Sequence, residues 1–265
     1  MLLAIDVGNT NIVLGVFDGP ALVHSWRLAT LRERTADEIG VLVTQCFEHQ
    51  RLHVNAIDAI ALASVVPPLT GTLVSMGRRY FGVTPLVIDA TVDTGMPVLY
   101  DNPAEVGADR IVNGVAAYEA FGRADRRSVI VVDFGTATTL DAISAAGEYL
   151  GGVICPGIHI SADALFQRAA KLPRVDVRKP ATVIGRTTVG SMQSGLFFGY
   201  VDMVEGLVRR VCRELGEPAV CVATGGLAEV IAPETTVIEH IEPDLTLQGL
   251  RLIWERQGAS PKPVV

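Results

Sequence analysis

Two carboxylates stand out for where they fall in the chain. Asp6 closes an apolar run, Leu2-Leu3-Ala4-Ile5, and is followed by Val7-Gly8-Asn9-Thr10-Asn11 before a second apolar run from Ile12 to Phe17. A carboxylate at a strand end, then a glycine and small amide and hydroxyl residues, makes a turn that can aim backbone N–H groups and a hydroxyl at a phosphate. In such a turn the Asp faces a hydrated Mg²⁺. A single copy is an ordinary strand–turn–strand hairpin. The grammar recurs, however: Val129-Ile130-Val131-Val132 leads into Asp133-Phe134-Gly135-Thr136-Ala137-Thr138, and a further apolar run leaves through Ile143. Two such turns half a chain apart imply a duplicated unit. A third turn, Thr224-Gly225-Gly226, ends another apolar strand, and its glycines let backbone approach a nucleoside. The chain contains no Gly-Lys pair, hence no P-loop, and no GxGxxG follows a strand. Nucleotide binding here needs another architecture, and the three turns supply one.

The elements that must position these turns follow from periodicity and punctuation. After the first two strands, Ala21 to Leu28 reads as a third. Thr35-Ala36-Asp37-Glu38 has capping-box form, with Ile39, Leu42, Val43, Cys46 and Phe47 following at helical spacing. Ile57 to Val66 is a buried strand, Pro67-Pro68 starts a helix to about Phe81, and Pro85 to Asp89 is a short strand. Asn102-Pro103-Ala104-Glu105 reads as the start of the next helix, with Asn as N-cap and Pro at the first helical position. Ala108, Ile111, Val112, Val115 and Ala116 form its buried stripe, leaving Asp109 and Asn113 on another face. The second half repeats the plan: strands at 129–133, 138–143 and 149–154, a helix from Gly157 toward Lys171, and a basic loop. A long helix from near Thr188, a strand at 219–223, a strand near 236–239 and a terminal helix from Asp244 to about Arg256 come next. Two units of three strands followed by alternating helices and strands make an α/β protein. Packed together, the two units would place the Asp turns and Thr224-Gly225-Gly226 around one interdomain cleft. The expected division is 1–115, 116–257 and a flexible tail, 258–265.

Composition narrows the class. Of 265 residues, 49% are apolar and 19% charged, so a large core is expected and disorder is not. The net charge of −7 disfavours a general nucleic-acid or anionic-membrane binder while leaving room for a nucleotide site. Cys46, Cys155, Cys212 and Cys221 lie in apolar contexts without CxxC spacing and read as buried free thiols in a reducing compartment. No apolar run is long enough to span a membrane, and the N-terminus lacks a signal-peptide pattern, so a cytoplasmic location is expected.

Taken in order, five motifs resemble the type III pantothenate kinases, within the actin-like ATPase and sugar-kinase superfamily. They are Asp6-Val7-Gly8-Asn9-Thr10, Gly107-Ala108-Asp109-Arg110, Asp133-Phe134-Gly135-Thr136-Ala137-Thr138, Gly151-Gly152-Val153-Ile154-Cys155-Pro156-Gly157 and Ser191-Met192-Gln193-Ser194-Gly195. The resemblance reaches to about Arg256. It implies two duplicated ribonuclease-H-like domains and ATP-dependent phosphorylation of the primary hydroxyl of pantothenate, the first step toward coenzyme A. It also implies that Asp6, Val7, Gly8, Asn9, Thr10, Asn11, Ile12, Val13 and Thr136 hold ATP, with Asp6 reaching Mg²⁺ through the phosphates. Asp133 would bind a monovalent cation, K⁺ or NH₄⁺. Tyr100, Gly107, Ala108, Asp109, Arg110 and Thr188 would bind pantothenate, with Asp109 as general base, and a homodimer would place the substrate site near the subunit interface. In Gly185-Arg186-Thr187-Thr188, Thr stands where many relatives have Asn, and Thr188 rather than Thr187 is taken as the substrate contact.

Without the resemblance, several of these residues have plainer roles. Asp109 could be a solvated helix residue paired with Arg110, and Arg110 either a surface arginine or a bidentate clamp for a substrate carboxylate. Tyr100 could be a packing residue with a wet hydroxyl. His159, just after Pro156-Gly157, could approach the cleft, but reads first as packing at a helix start. Two rival functions use the same turns: a polymerising actin-like ATPase, and a nucleotide-binding regulatory module without turnover. The short length argues against the first, and the presence of Asp6, Asp109 and Asp133 against the second.

Overall fold

The computed structural model describes residues 1–258. Strands β1 (Leu2–Val7), β2 (Asn11–Asp18) and β3 (Ala21–Ala29) form an antiparallel meander, followed by helix α1 (Ala36–His49), β4 (Ala59–Ser64), α2 (Pro67–Phe81) and β5 (Leu86–Val87). Strands β4 and β5 add in parallel on the far side of β1, giving the order β3-β2-β1-β4-β5. Helix α3 (Ala108–Ala117) precedes the second series: β6 (Val129–Phe134), β7 (Ala137–Ile143), β8 (Tyr149–Pro156), α4 (Ile158–Arg168), α5 (Thr188–Leu215), β9 (Val220–Thr224), α6 (Ala228–Ile231), β10 (His240–Ile241) and α7 (Leu245–Arg256). Its sheet runs β10-β9-β6-β7-β8, with β6, β7 and β8 antiparallel and β9 and β10 parallel to β6. The two sheets have one plan, the duplicated ribonuclease-H-like arrangement.

Local chemistry accounts for the helix ends. Thr35 accepts the Glu38 N–H at 3.2 Å while the Glu38 carboxylate accepts the Thr35 N–H at 2.7 Å, the capping box expected for α1. Helix α2 opens on Pro67 and stops at Gly82, whose φ of +66° is left-handed. Inward-facing Leu3, Ile5 and Val7 of β1 and Ile12, Leu14 and Val16 of β2 meet Ile39, Val43 and Phe47 of α1 and Leu69, Leu73 and Met76 of α2. In the second unit, Ile130, Val132, Phe134 and Leu140 meet Leu196, Phe197, Tyr200 and Val204 of α5.

Four details depart from the sequence reading. The chain divides into Met1–Ala116 with the residues from Leu245 onward, and Ala117–Asp244, so α7 belongs to the first unit, not the second. Helix α7 lies on β1, β2 and β4 and buries Leu245, Leu247, Leu250 and Ile253 there. The bare Cα of Gly15 admits Leu247, whose Cδ1 would stand 2.7 Å from a Cβ at that position. Secondly, Asn102 does act as an N-cap, accepting the Ala104 N–H at 3.3 Å, but the element it caps is a single 3-10 turn, Pro103–Glu105. Val106 is extended, and α3 starts anew at Ala108. Thirdly, Asn113 is 1% exposed, and its Oδ1 accepts a hydrogen bond from the Thr246 hydroxyl at 2.7 Å. Lastly, the final short strand falls at His240–Ile241 instead of 236–239, because the Thr236 N–H is taken by the Glu205 carboxylate at 2.6 Å. Of the expected tail, all but Gly258 lies outside the described residues. No helix among the described residues is long and apolar enough to cross a membrane. All four thiols are free: Cys221 is buried, and its thiol is pushed up to about 12, chiefly by burial, while Cys46, Cys155 and Cys212 are only partly buried.

Candidate active site

The first turn is closed and braced by backbone. Asp6 pairs with Val13 across β1–β2 and with Ala63 across β1–β4, at the carboxyl end of the central strand. The Gly8 N–H donates to the Asn11 carbonyl at 3.0 Å, which tightens the turn; a Cβ on Gly8 would lie 3.2 Å from that same oxygen. From the loop after β3, the Thr30 hydroxyl donates to the Gly8 carbonyl at 2.7 Å and the Thr30 N–H to the Thr10 carbonyl at 2.9 Å. Val7 and Ile12 are buried, Asp6, Gly8, Asn11 and Val13 half-buried, and Asn9 and Thr10 exposed. The turn thus offers its tip to solvent from a fixed base.

Gly107-Ala108-Asp109-Arg110 lies beside it. The Val65 N–H donates to the Val7 carbonyl at 3.0 Å, and Val65 Cγ1 would stand 3.7 Å from a Cβ on Gly107. Asp109 occupies the first turn of α3, because the chain breaks at Val106 and Gly107 and restarts there. Its Oδ1 accepts the Arg110 N–H at 2.9 Å and lies 2.5 Å from where a Gly107 Cβ would sit, so a side chain at 107 would displace the carboxylate. Burial pushes the Asp109 carboxyl above the usual carboxylate range, opposed by the Arg110 N–H and the Arg110 charge. This is not the solvated helix face that the stripe pattern suggested; Gly107, Ala108, Asp109 and Arg110 are all half-buried. Tyr100, also half-buried, sits in the segment between β5 and α3.

The second turn is built from three strand ends. Asp133 pairs with Thr139 on β7 and with Thr224 on β9. Gly225, at φ +90°, passes directly beneath it: a Cβ there would lie 2.4 Å from Asp133 Oδ1 and 2.7 Å from the Phe134 backbone. The Gly157 N–H donates to the Thr136 carbonyl at 3.1 Å, and a Cβ on Gly157 would lie 2.1 Å from that oxygen. Both glycines are therefore obligatory. Gly135 and Thr136 are exposed above this base.

Thr187 and Thr188 divide their tasks at the start of α5. The Thr187 hydroxyl accepts the Gly190 N–H at 3.0 Å as N-cap, whereas Thr188 is exposed on the first helical residue. Both line an open groove of about 1030 Å³ along α4 and α5. Tyr200 also lines it, with its phenol at 2.6 Å from the Ser161 hydroxyl and donating to the Pro156 carbonyl at 2.5 Å. His159, in the first turn of α4, is exposed rather than packed. The candidate residues therefore fall in two sets: the Asp6 turn, Tyr100 and Gly107–Arg110 in one unit, and Asp133, Thr136 and Thr188 in the other.

A family model described as type III pantothenate kinase matches residues 2–210, nearly the whole run from the first turn through the α5 motif. The chain belongs to that family. A type III pantothenate kinase from Myxococcus xanthus (strain DK1622) is 57% identical over 260 residues, covering 98% of this chain and 100% of that protein. Another, from Geobacter sulfurreducens, is 54% identical over 256 residues, covering 97% and 99%. The protein is thus a kinase, a phosphotransferase with an alcohol acceptor. Solved structures share the fold at low identity. One is a conserved putative Baf family transcriptional activator from Campylobacter jejuni, with a TM-score of 0.57, 16% identity and 97% and 98% coverage of the two chains. Another is an inorganic polyphosphate/ATP-glucomannokinase from Arthrobacter sp. strain KM, with a TM-score of 0.52, 14% identity and 97% and 98% coverage.

Sequence reasoning passed over Thr30 and Val65. Neither carries a motif, and Thr30 reaches the first turn from 22 residues away. Gly225 was readable as a close-approach glycine, but its crowding neighbour is the Asp133 carboxylate.

Proposed function

We propose that this kinase transfers the γ-phosphoryl group of ATP to the primary hydroxyl of pantothenate, giving 4'-phosphopantothenate, with Asp109 as general base. The observation that carries the reading is the carboxylate of Asp109, folded over Gly107 in a half-buried setting beside the Asp6 turn. Phosphoryl transfer is largely positioning and charge stabilisation, plus a group that accepts the hydroxyl proton. A carboxyl raised by burial is a better base for that proton than a solvated one. Arg110 takes the pantothenate carboxylate, and Tyr100, Ala108 and Gly107 shape the pocket around it. Thr188 offers its hydroxyl to the substrate from the first helical residue, where it stands exposed, while the Thr187 hydroxyl accepts the capping Gly190 N–H.

Residues 6–13 and Thr136 hold ATP. Among the described residues no three His, Cys, Asp or Glu side chains form a group able to hold a metal. Asp6 instead fits a Mg²⁺ shared with substrate phosphates, the usual setting for that ion. When bound, Mg²⁺ offsets the negative charge of the phosphates. Asp133, held over Gly225, is a fixed hard-oxygen ligand of the kind K⁺ or NH₄⁺ prefers. The protein works as a cytoplasmic homodimer in this reading, with the substrate site near the subunit interface. The groove beside Thr188 and exposed Ile160, Leu165 and Phe166 on α4 support an apolar face that a second copy covers.

The test is an ADP-release assay with Mg²⁺, K⁺ and a panel of small alcohols. Release that depends on pantothenate is the expected result. Release without any alcohol, accompanied by pelleting with ATP, would replace the kinase reading with that of a polymerising ATPase, and ATP binding without release would point to a regulatory module.

A further inference from the structure

The segment between β5 and α3, residues 88–107, carries Tyr100 and delivers Asp109. Yet it holds only an isolated bridge at Val98 and the short turn at Pro103–Glu105. Besides the Ile88 N–H bond to the Leu62 carbonyl and short-range turns such as Asp89–Thr91 and Asp93–Gly95, a long-range tie reaches it from the far end of the chain. At the close of α7, Arg256 Nη1 donates to the Thr94 carbonyl at 2.7 Å, and Gln257 Nε2 donates to the Asp93 carbonyl at 2.5 Å. Gly95 has φ +71°, and a Cβ there would stand 2.9 Å from Arg256 Nη1 and 3.2 Å from Arg256 Cδ, so the Arg256 side chain lies against bare backbone. Thr94 and Met96 on either side are buried. The opposite end of α7 grips α3. Gly249 lets the helix approach until its Cβ position is 2.1 Å from the Val112 carbonyl, and Thr246 hydrogen-bonds Asn113. One helix therefore holds the chain ahead of Tyr100 and behind Asp109.

We propose that Arg256, assisted by Gln257, is a positioning residue for the acceptor site: it fixes the segment that carries Tyr100 relative to Asp109. The inference rests on the reading of Tyr100 as a pantothenate contact. A guanidinium-to-carbonyl hydrogen bond is charge-assisted, stronger than a neutral one, and its planar donor fork suits a fixed backbone target. A loop with so little ladder depends on such a tie, whereas β1 and its turn are held by sheet pairing.

The experiment uses the full chain and begins with parent kinetics on pantothenate; no turnover there would sink the assignment of function and this inference with it. With turnover established, Arg256→Ala is expected to raise KM for pantothenate by about tenfold or more. KM for ATP should stay at the parent value. Arg256→Lys, which keeps charge and a donor but not the planar fork, should shift KM in the same direction by less, and it serves if the alanine variant fails to fold. Amide exchange should quicken across residues 93–100 and not in β1. Arg251→Ala, which removes the Arg251–Glu255 pair from the same helix, should lower Tm without moving the acceptor KM. Combined with Tyr100→Ala, the Arg256→Ala effect should be less than additive, as for residues acting through one contact. Parental acceptor KM in a folded Arg256 variant, full additivity with Tyr100→Ala, or an equal KM shift in Arg251→Ala would each overturn the proposal while leaving the kinase assignment standing.

Discussion

In the N-terminal unit Asp6 faces Ala63 across β1–β4, and the next residue on β4 is Ser64; in the C-terminal unit Asp133 faces Thr224 across β6–β9, and the next residue is Gly225 at φ +90°. The sheets are copies, but the bracing differs. The first turn closes on itself through Gly8 and Asn11 and is tied down by a side chain, Thr30. The second is tied through the Gly157 N–H to the Thr136 carbonyl, and its carboxylate is seated on a glycine. A turn with an exposed, self-closed tip suits a flexible polyphosphate and its hydrated ion. A carboxylate locked over bare backbone suits a ligand set of fixed size. Each unit also starts a helix near its turn, with half-buried Asp109 in the first turn of α3 in one and exposed His159 in the first turn of α4 in the other.

That difference can be broken experimentally. The largest effect is expected from Asp109→Asn, which keeps shape but not basicity: kcat should fall by ~10²–10⁴. ATP affinity should be unchanged, and steady-state kinetics of the folded variant decides. If kcat stays within about threefold of the parent, far short of the usual general-base contribution, Asp109 has no role in the chemistry. The same substitution should hold or raise Tm at neutral pH. A buried carboxyl with a raised folded-state pKa stabilises the fold only while protonated, and that contribution is lost as pH rises through the folded value.

Next comes Gly225→Ala. A left-handed alanine costs roughly 1–2 kcal/mol, and the new methyl meets Asp133 Oδ1 at 2.4 Å. Activity at fixed K⁺ should drop, with a higher half-saturating K⁺; unchanged K⁺ dependence, or equal turnover in sodium-only buffer, would separate Asp133 from the cation. The pH profile gives a subtler reading. Because burial raises Asp109, the acid limb of kcat/KM for the parent should lie above the ordinary carboxylate range, the rate falling as pH is lowered through it. Asp109→Asn should erase that limb. The smallest effect is expected from Thr30→Val, which removes one hydroxyl bond to the Gly8 carbonyl. Stability should fall by about 1 kcal/mol, with KM for ATP rising and KM for pantothenate unmoved. A variant that shifts pantothenate instead would tie the first turn to the acceptor.

Much of the architecture could be read from the amino-acid pattern. The apolar runs that end in Asp6 and Asp133, the capping box at Thr35, the Pro67 start of α2 and the whole of α5 are local signals, set by side-chain period and by caps a few residues away. Periodicity placed Asp109 off the apolar stripe, but not its surroundings. The chain breaks at Val106 and Gly107, which puts Asp109 at a helix start, and its carboxylate folds back over Gly107; spacing does not encode that.

By itself, then, the sequence determined the elements, their duplication and the identity of the chemical groups, because those depend on contacts within a turn or two along the chain. Tertiary structure alone decided the address of α7, whose apolar stripe would suit either sheet until Gly15 and Gly249 left room for it on the first. It also decided that Gly225 must lie beneath Asp133, that Asn113 turns inward to Thr246, and that Arg256 reaches Thr94 from 162 residues away. Each of these is a matter of steric room or of a hydrogen bond between distant segments. Neither can be satisfied, or even posed, until packing has brought the partners together.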